Sequence, residues 1–173
     1  PDLASVKNKS PADLLVTVTN DITGHNLPTG TTFIRELWVE VVATDALGEQ
    51  VFVTGDLDEN GDLRHHFSAL DPYGDHDLLA FNATLVDAAG TPVIFPWRAA
   101  ELISTAIPPL HARTRTLFIP TEGATSPIHV AARLRVRSHG PHLLRELGLD
   151  QLIDRLEIHD IATASTEIEI APP

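Results

Sequence analysis

The chain contains no cysteine and no methionine among its 173 residues. Without cysteine there is no disulfide, no thiolate metal site, no cysteine nucleophile and no Cys-x-x-Cys-His for covalent haem attachment within this chain. The missing methionine extends to position 1, so a chain opening Pro1-Asp2 reads as a processed protein or an excised fragment. Basic residues are scarce, at 12 Lys and Arg against 24 Asp and Glu, and the net charge is -12. That charge argues against nucleic acid, whose phosphates require a basic face, and against adhesion to anionic membranes. No apolar run approaches the ~20 residues that insert into and span a bilayer, and no signal peptide is visible. Aromatic residues are also few, at 5%.

Hydrophobic residues make up 43% and charged residues 21%, an ordinary globular composition with enough apolar material for one core. The reading is a leading segment at 1–13 followed by a single domain at 14–171. Leu14, Val16 and Val18 alternate with Leu15, Thr17 and Thr19, a period-two strand pattern. Phe33 to Thr44 is the strongest strand, with Leu37, Val39, Val41 and Ala43 on one face and Glu36, Trp38, Glu40 and Val42 on the other. The turn Asp45-Ala46-Leu47-Gly48 returns it as Gln50 to Thr54, an antiparallel hairpin. Further strands are expected at Leu78 to Val86, Pro92 to Phe95, Thr114 to Ile119, Ile128 to Arg137 and Ala164 to Ile170. Within Ile128 to Arg137, Ile128, Val130, Ala132, Leu134 and Val136 should face the core, and His129, Arg133, Arg135 and Arg137 should face out. Ala99 to Leu102 suggests one helical turn. Near residues 141–157 the leucine spacing changes to three- and four-residue steps, broken by Gly148, which predicts a small helical insertion of two pieces. Roughly seven to nine short strands with turns between them favour an all-β fold, an antiparallel immunoglobulin-like β-sandwich, with a jelly roll or small barrel as the alternative.

Four features carry chemistry. Asp56, Asp58, Asn60 and Asp62 place oxygen ligands on alternate residues around the Asn60-Gly61 turn, a candidate calcium site. The twelfth position from Asp56 is Phe67 rather than glutamate, so an EF-hand is excluded, and a solvated hairpin tip is the alternative. His65 or His66 with His76 offers imidazoles for a transition metal, although adjacent strand residues point to opposite faces. Arg133, Arg135 and Arg137 form a row that either receives a carboxylate-rich partner or pairs with the domain's own acidic surplus. Trp38, Tyr73 and Trp97 offer rings for a carbohydrate-stacking platform or for core packing. There is no Gly-x-Ser-x-Gly elbow and no phosphate-binding loop, and the reading is of a domain that is not an enzyme.

The stretch Asn20-Asp21-Ile22-Thr23-Gly24-His25-Asn26-Leu27-Pro28-Thr29-Gly30 separates two strands. Its glycines and proline suit a shaped connection, with Asn20 and Asn26 bonding loop backbone and His25 tying the loop to a neighbouring strand. The other reading presents His25 to a cofactor or partner outside the chain.

Gly24-His25-Asn26-Leu27-Pro28-Thr29-Gly30, then Arg35-Glu36-Leu37-Trp38-Val39, Asp45-Ala46-Leu47-Gly48 and Thr54-Gly55 before the acidic turn, resembles a β-sandwich domain associated with bacterial multihaem c-type cytochromes. The likeness is specific over residues 14–61, about a quarter of the chain, and looser at Ile107-Pro108-Pro109 and Ala132 to Arg137. It implies a non-catalytic domain, periplasmic or extracellular, that packs on or scaffolds a multihaem cytochrome domain or subunit. Haem would then lie in that neighbouring domain or chain, and His25 is a candidate haem contact, since imidazole is a common axial ligand. The remaining alternatives are a metal-binding module, with calcium or a His-ligated ion, and a carbohydrate-binding module.

Overall fold

Alternation decides the central architecture. In the computed structural model, which describes residues 4–10 (backbone only) and 13–170, Asp13–Asn20 alternates strictly between half-buried and buried positions. Leu14, Val16 and Val18 are all at most 3% exposed. This strand, β2, pairs antiparallel with β1 (Ala4–Ser10) on one side and β9 on the other, where β9 is His111–Phe118. Part of the leading segment 1–13 is therefore the first strand of a three-stranded sheet.

Facing it is a larger antiparallel sheet. Here β3 (Glu36–Thr44) lies between β10 (Ile128–Arg137) and β4 (Gln50–Thr54), and β11 (His159–Ile168) closes the β10 edge. The inner faces carry the expected residues: Leu37, Val39, Val41 and Ala43 meet Ile128, Val130, Ala132 and Leu134, with Leu117, Ile119 and Ile168 completing the core. Fully burying one such aliphatic side chain is worth about 1.5–3 kcal/mol. The expected all-β antiparallel sandwich with a small helical insertion is the observed fold. The insertion is α1 (Pro141–Glu146) and a 3-10 segment at Asp150–Arg155, separated by Gly148 at φ +67.

Three local expectations change. The strand expected at Leu78 to Val86 is two strands, β5 (Leu79–Ala80) and β6 (Ala83–Val86). β5 pairs with β3, while β6 joins β7 (Pro92–Val93) and β8 (Glu101–Ser104) in a third sheet. The switch occurs where Phe81 drops into the core, with its amide bonded to the Leu37 carbonyl at 2.8 Å. Ala99 to Leu102 is not a helical turn. Proline at the first position of Pro96–Arg98 places a 3-10 turn there instead, and Glu101 onward pairs with β6.

The third change concerns the outer face of β3. Glu36 and Trp38 are 2% and 0% exposed although they point away from the core. The segment after β4 covers them: Trp38 Nε1 donates to the Gly55 carbonyl at 2.9 Å. Gly55 has φ +74, and a Cβ there would lie 2.2 Å from the Val39 carbonyl oxygen. Arg137, expected to face out, is 3% exposed under the same cover, where it donates to the Gly61 carbonyl at 2.7 Å.

Candidate functional site

The loop at residues 20–30 is organised by Asn20. Its side chain is 1% exposed and closes three segments together. Nδ2 donates to the carbonyls of His25 at 2.8 Å and Ile107 at 2.9 Å, and Oδ1 accepts from the Thr23 amide at 3.3 Å and from the Thr23 hydroxyl. Leu27 and Ile107 exchange two backbone hydrogen bonds of 2.9 and 2.8 Å. The His25 carbonyl, rather than its ring, is what ties the loop down. The ring itself is exposed, with Nδ1 2.9 Å from the Asn26 carbonyl. That bond puts the proton of the neutral imidazole on Nδ1 and leaves the Nε2 lone pair for an outside ligand. Beside the loop is an apolar recess of about 140 Å³ lined by Val18, Ile22, Leu27, Leu134 and Ile161. Ile22, at its rim, is 70% exposed.

The acidic turn is knotted to its own surroundings. Asp58 Oδ1 accepts from the amides of Asn60 and Asp62 at 2.9 and 3.0 Å, and its Oδ2 accepts from Ser68 Oγ at 2.6 Å. Asp56 pairs with Arg64 at 2.5 Å. Asp62, at 0% exposure, accepts from the His142 amide at 3.0 Å and pairs with Arg145. Asn60 is exposed. A calcium ion at the turn would compete with two arginines and with the amides that shape it.

Sequence reasoning missed the cluster behind this turn. Glu36, at the start of β3, faces Arg137 across the β3–β10 ladder and pairs with it through Oε2. Its Oε1 lies 3.5 Å from His65 Nε2 and 4.0 Å from His142 Nδ1. The ligand atoms of Glu36, His65 and His142 all fall within 4.8 Å of one another. His142 stacks on Phe67 at 4.5 Å, and His65 stacks on His66 at 4.7 Å. Burial works to raise the Glu36 pKa, but the neighbouring His65 imidazole, 3.5 Å away, and the Arg137 charge outweigh it and hold the carboxyl at about 2. Burial pushes His66 and His142 down to about 4. His76 is exposed and does not join this group, and His66 stacks behind His65 without contributing a ligand atom to it. The sequence offered His65 as a candidate metal ligand but joined it to His76, and neither Glu36 nor His142 was singled out as a ligand.

The arginine row pairs internally. Arg133 and Arg135 share Glu40, with Arg135 at 2.7 Å, and Arg135 also meets Asp160 at 3.0 Å. The three-ring platform does not form, because Trp38 is buried under Gly55 while Tyr73 and Trp97 are 59% and 77% exposed. Trp97 instead stacks on Phe95, with centroids 4.5 Å apart and planes 7° apart. No helix among the described residues is long and apolar enough to cross a membrane.

No family model and no curated protein matches the chain. Among solved structures it is similar to a penta-heme cytochrome c552 from Thermochromatium tepidum, with a TM-score of 0.68 and 22% identity. The match covers 95% of this chain and 38% of that one, so this chain has the fold of a part, well under half, of a longer haem protein.

Proposed function

We propose that the chain is a non-catalytic, extracytoplasmic β-sandwich domain that packs on a multihaem electron-transfer module and holds it in place. The observation that carries this is the whole-chain likeness in fold to a 38% portion of a penta-heme cytochrome. With no cysteine, this chain has no thioether anchor for a haem of its own. Its part in such an assembly is therefore support, and the haem belongs to a neighbouring domain or subunit. A periplasmic or extracellular setting follows from the same reading.

The surface that suits the contact is the loop at residues 20–30. Asn20 holds its backbone rigidly, so its outer groups are presented with little ordering cost on association. These groups are the exposed imidazole of His25, the Ile22 side chain and the apolar recess between them and β11. An apolar side chain of the haem module fills the recess, and His25 Nε2 offers its lone pair to the haem.

The test is to isolate the native protein with whatever haem-bearing chain or domain accompanies it, and to record its haem spectrum. Stoichiometric c-type haem in the purified assembly is expected, and Ile22→Asp should release a separate haem subunit or shift the spectrum of a fused one. An assembly without haem overturns the reading.

A further inference from the structure

We propose that Glu36 Oε1, His65 Nε2 and His142 Nδ1 form a binding site for a divalent first-row transition ion of the zinc class. This goes beyond the haem-scaffold reading and does not depend on it. Two imidazoles and one carboxylate are a donor set that such ions accept readily, and three protein ligands leave further positions for water.

Three observations converge on the cluster. The first is geometry: the donors come from β3, from the segment after β4 and from α1, yet their atoms lie within 4.8 Å of one another. The second is lack of partners. Glu36 Oε1 and His142 Nδ1 are buried without a hydrogen-bond partner among the described residues, on side chains only 3% and 10% exposed. Leaving a buried polar atom unpaired costs about 1–3 kcal/mol, and one ion between them offsets both. The third is the space kept for them. A Cβ on Gly140 would lie 2.4 Å from His142 Cε1, 2.5 Å from His142 Nδ1 and 2.7 Å from Glu36 Oε1. The glycine before α1 lets the backbone close against the donor atoms.

The surroundings are arranged as outer partners. Arg137 takes Glu36 Oε2, fixing the carboxylate so that Oε1 is the atom turned to the histidines. Asp62 accepts from the His142 amide at 3.0 Å and sets its Oδ1 3.8 Å from Nδ1. His65 Nδ1 accepts from the Phe67 amide at 3.2 Å, so the neutral ring carries its proton on Nε2. Binding moves that proton to Nδ1 and gives up this one long hydrogen bond. The positive charge of Arg137 opposes the ion, so binding should be weaker than at an all-cysteine structural zinc site.

The experiment uses the 173-residue chain stripped with EDTA and titrated with zinc chloride by calorimetry. One ion per chain is expected, with a rise in melting temperature that EDTA reverses. His65→Ala and His142→Gln should abolish binding at concentrations that saturate the parent protein. His25→Ala and His76→Ala, which alter exposed rings, should leave it intact. Unchanged binding in the first pair, or loss in the second, overturns the proposal, as does the absence of any zinc isotherm. Should the first pair not fold, copper(II) bound to the parent protein decides by electron paramagnetic resonance. Coupling to two imidazole nitrogens supports the site, and any other nitrogen count overturns it.

Discussion

Glu36 and Arg137 lie directly opposite each other in the β3–β10 ladder, and both are buried on the face of the sheet that points away from the core. A charge pair at this depth is balanced only as long as both members remain. Arg137→Met keeps much of the aliphatic stem but removes the guanidinium that lies over Trp38 and strands the carboxylate. We expect a loss of about 3–5 kcal/mol in urea unfolding. Adding Glu36→Gln to that variant should restore a substantial part of it, since no unpaired buried charge then remains. Additive losses in the double variant would show that the pair is not coupled.

Acid should act in two stages on metal-free protein. His142 and His66 titrate at about 4 when folded against an ordinary 6.5. The unfolded chain therefore binds more protons between these values, and stability falls as pH drops through that window. Glu36, held at about 2 against an ordinary 4.5, continues the loss below pH 4.5. Unfolding free energies measured at pH 7, 5 and 3 with chelator present should decline at both steps. His142→Gln should reduce the decline down to about pH 4, with His66 supplying the remainder, and spare the loss that Glu36 adds below it.

Asn20 and His25 should separate cleanly by mutation. Asn20→Ala leaves the Ile107 and His25 carbonyls without their side-chain donor, and a loss of about 2–3 kcal/mol is expected by denaturant titration. His25→Asn alters an exposed ring and should stay within about 0.5 kcal/mol in the isolated chain. In the haem-bearing assembly the same His25→Asn change should alter the haem spectrum. An unaltered spectrum would assign His25 to the loop's shape alone.

Two glycines with similar backbone angles should respond differently to alanine. Gly48 sits at φ +85 with nothing within 4 Å of a new Cβ, so Gly48→Ala should cost about 1–2 kcal/mol for the left-handed backbone. Gly55, at φ +74, would drive its Cβ into the Val39 carbonyl and the Glu40 Cα. Its alanine variant should lose clearly more and should shift Trp38 fluorescence, because the Gly55 carbonyl is the indole's acceptor. Equal losses at both positions would mean that the cover over β3 yields easily.

What was legible in the sequence was whatever repeats at short range. Period two in β2 and β10 identified the core faces, and the leucine spacing with Gly148 located the helical insertion. The role of Asn20 in its loop was also legible, because a polar side chain at the end of a strand bonds nearby backbone. The outer face of β3 was not. Its burial depends on the segment after β4 folding back over it, and alternation reports a residue's face without reporting what covers that face. The buried cluster failed for the same reason, since its three donors come from separate elements and no spacing rule links them. The 99–102 helical turn failed through proline, which shifted the turn upstream and left Glu101 free to pair with β6.

The β3–β10 ladder has a kinetic consequence. Its last pair joins residues 101 positions apart in the chain, so this ladder cannot be completed until Arg137 is available. Folding dominated by such distant contacts is slow, on the scale of about milliseconds to seconds. During synthesis, the edge of β3 that pairs with β10 would wait unpaired while about eighty further residues emerge after Thr44. The abundance of carboxylates, at 24 against 12 basic groups, then has a use before the fold exists: mutual repulsion keeps the waiting chains apart.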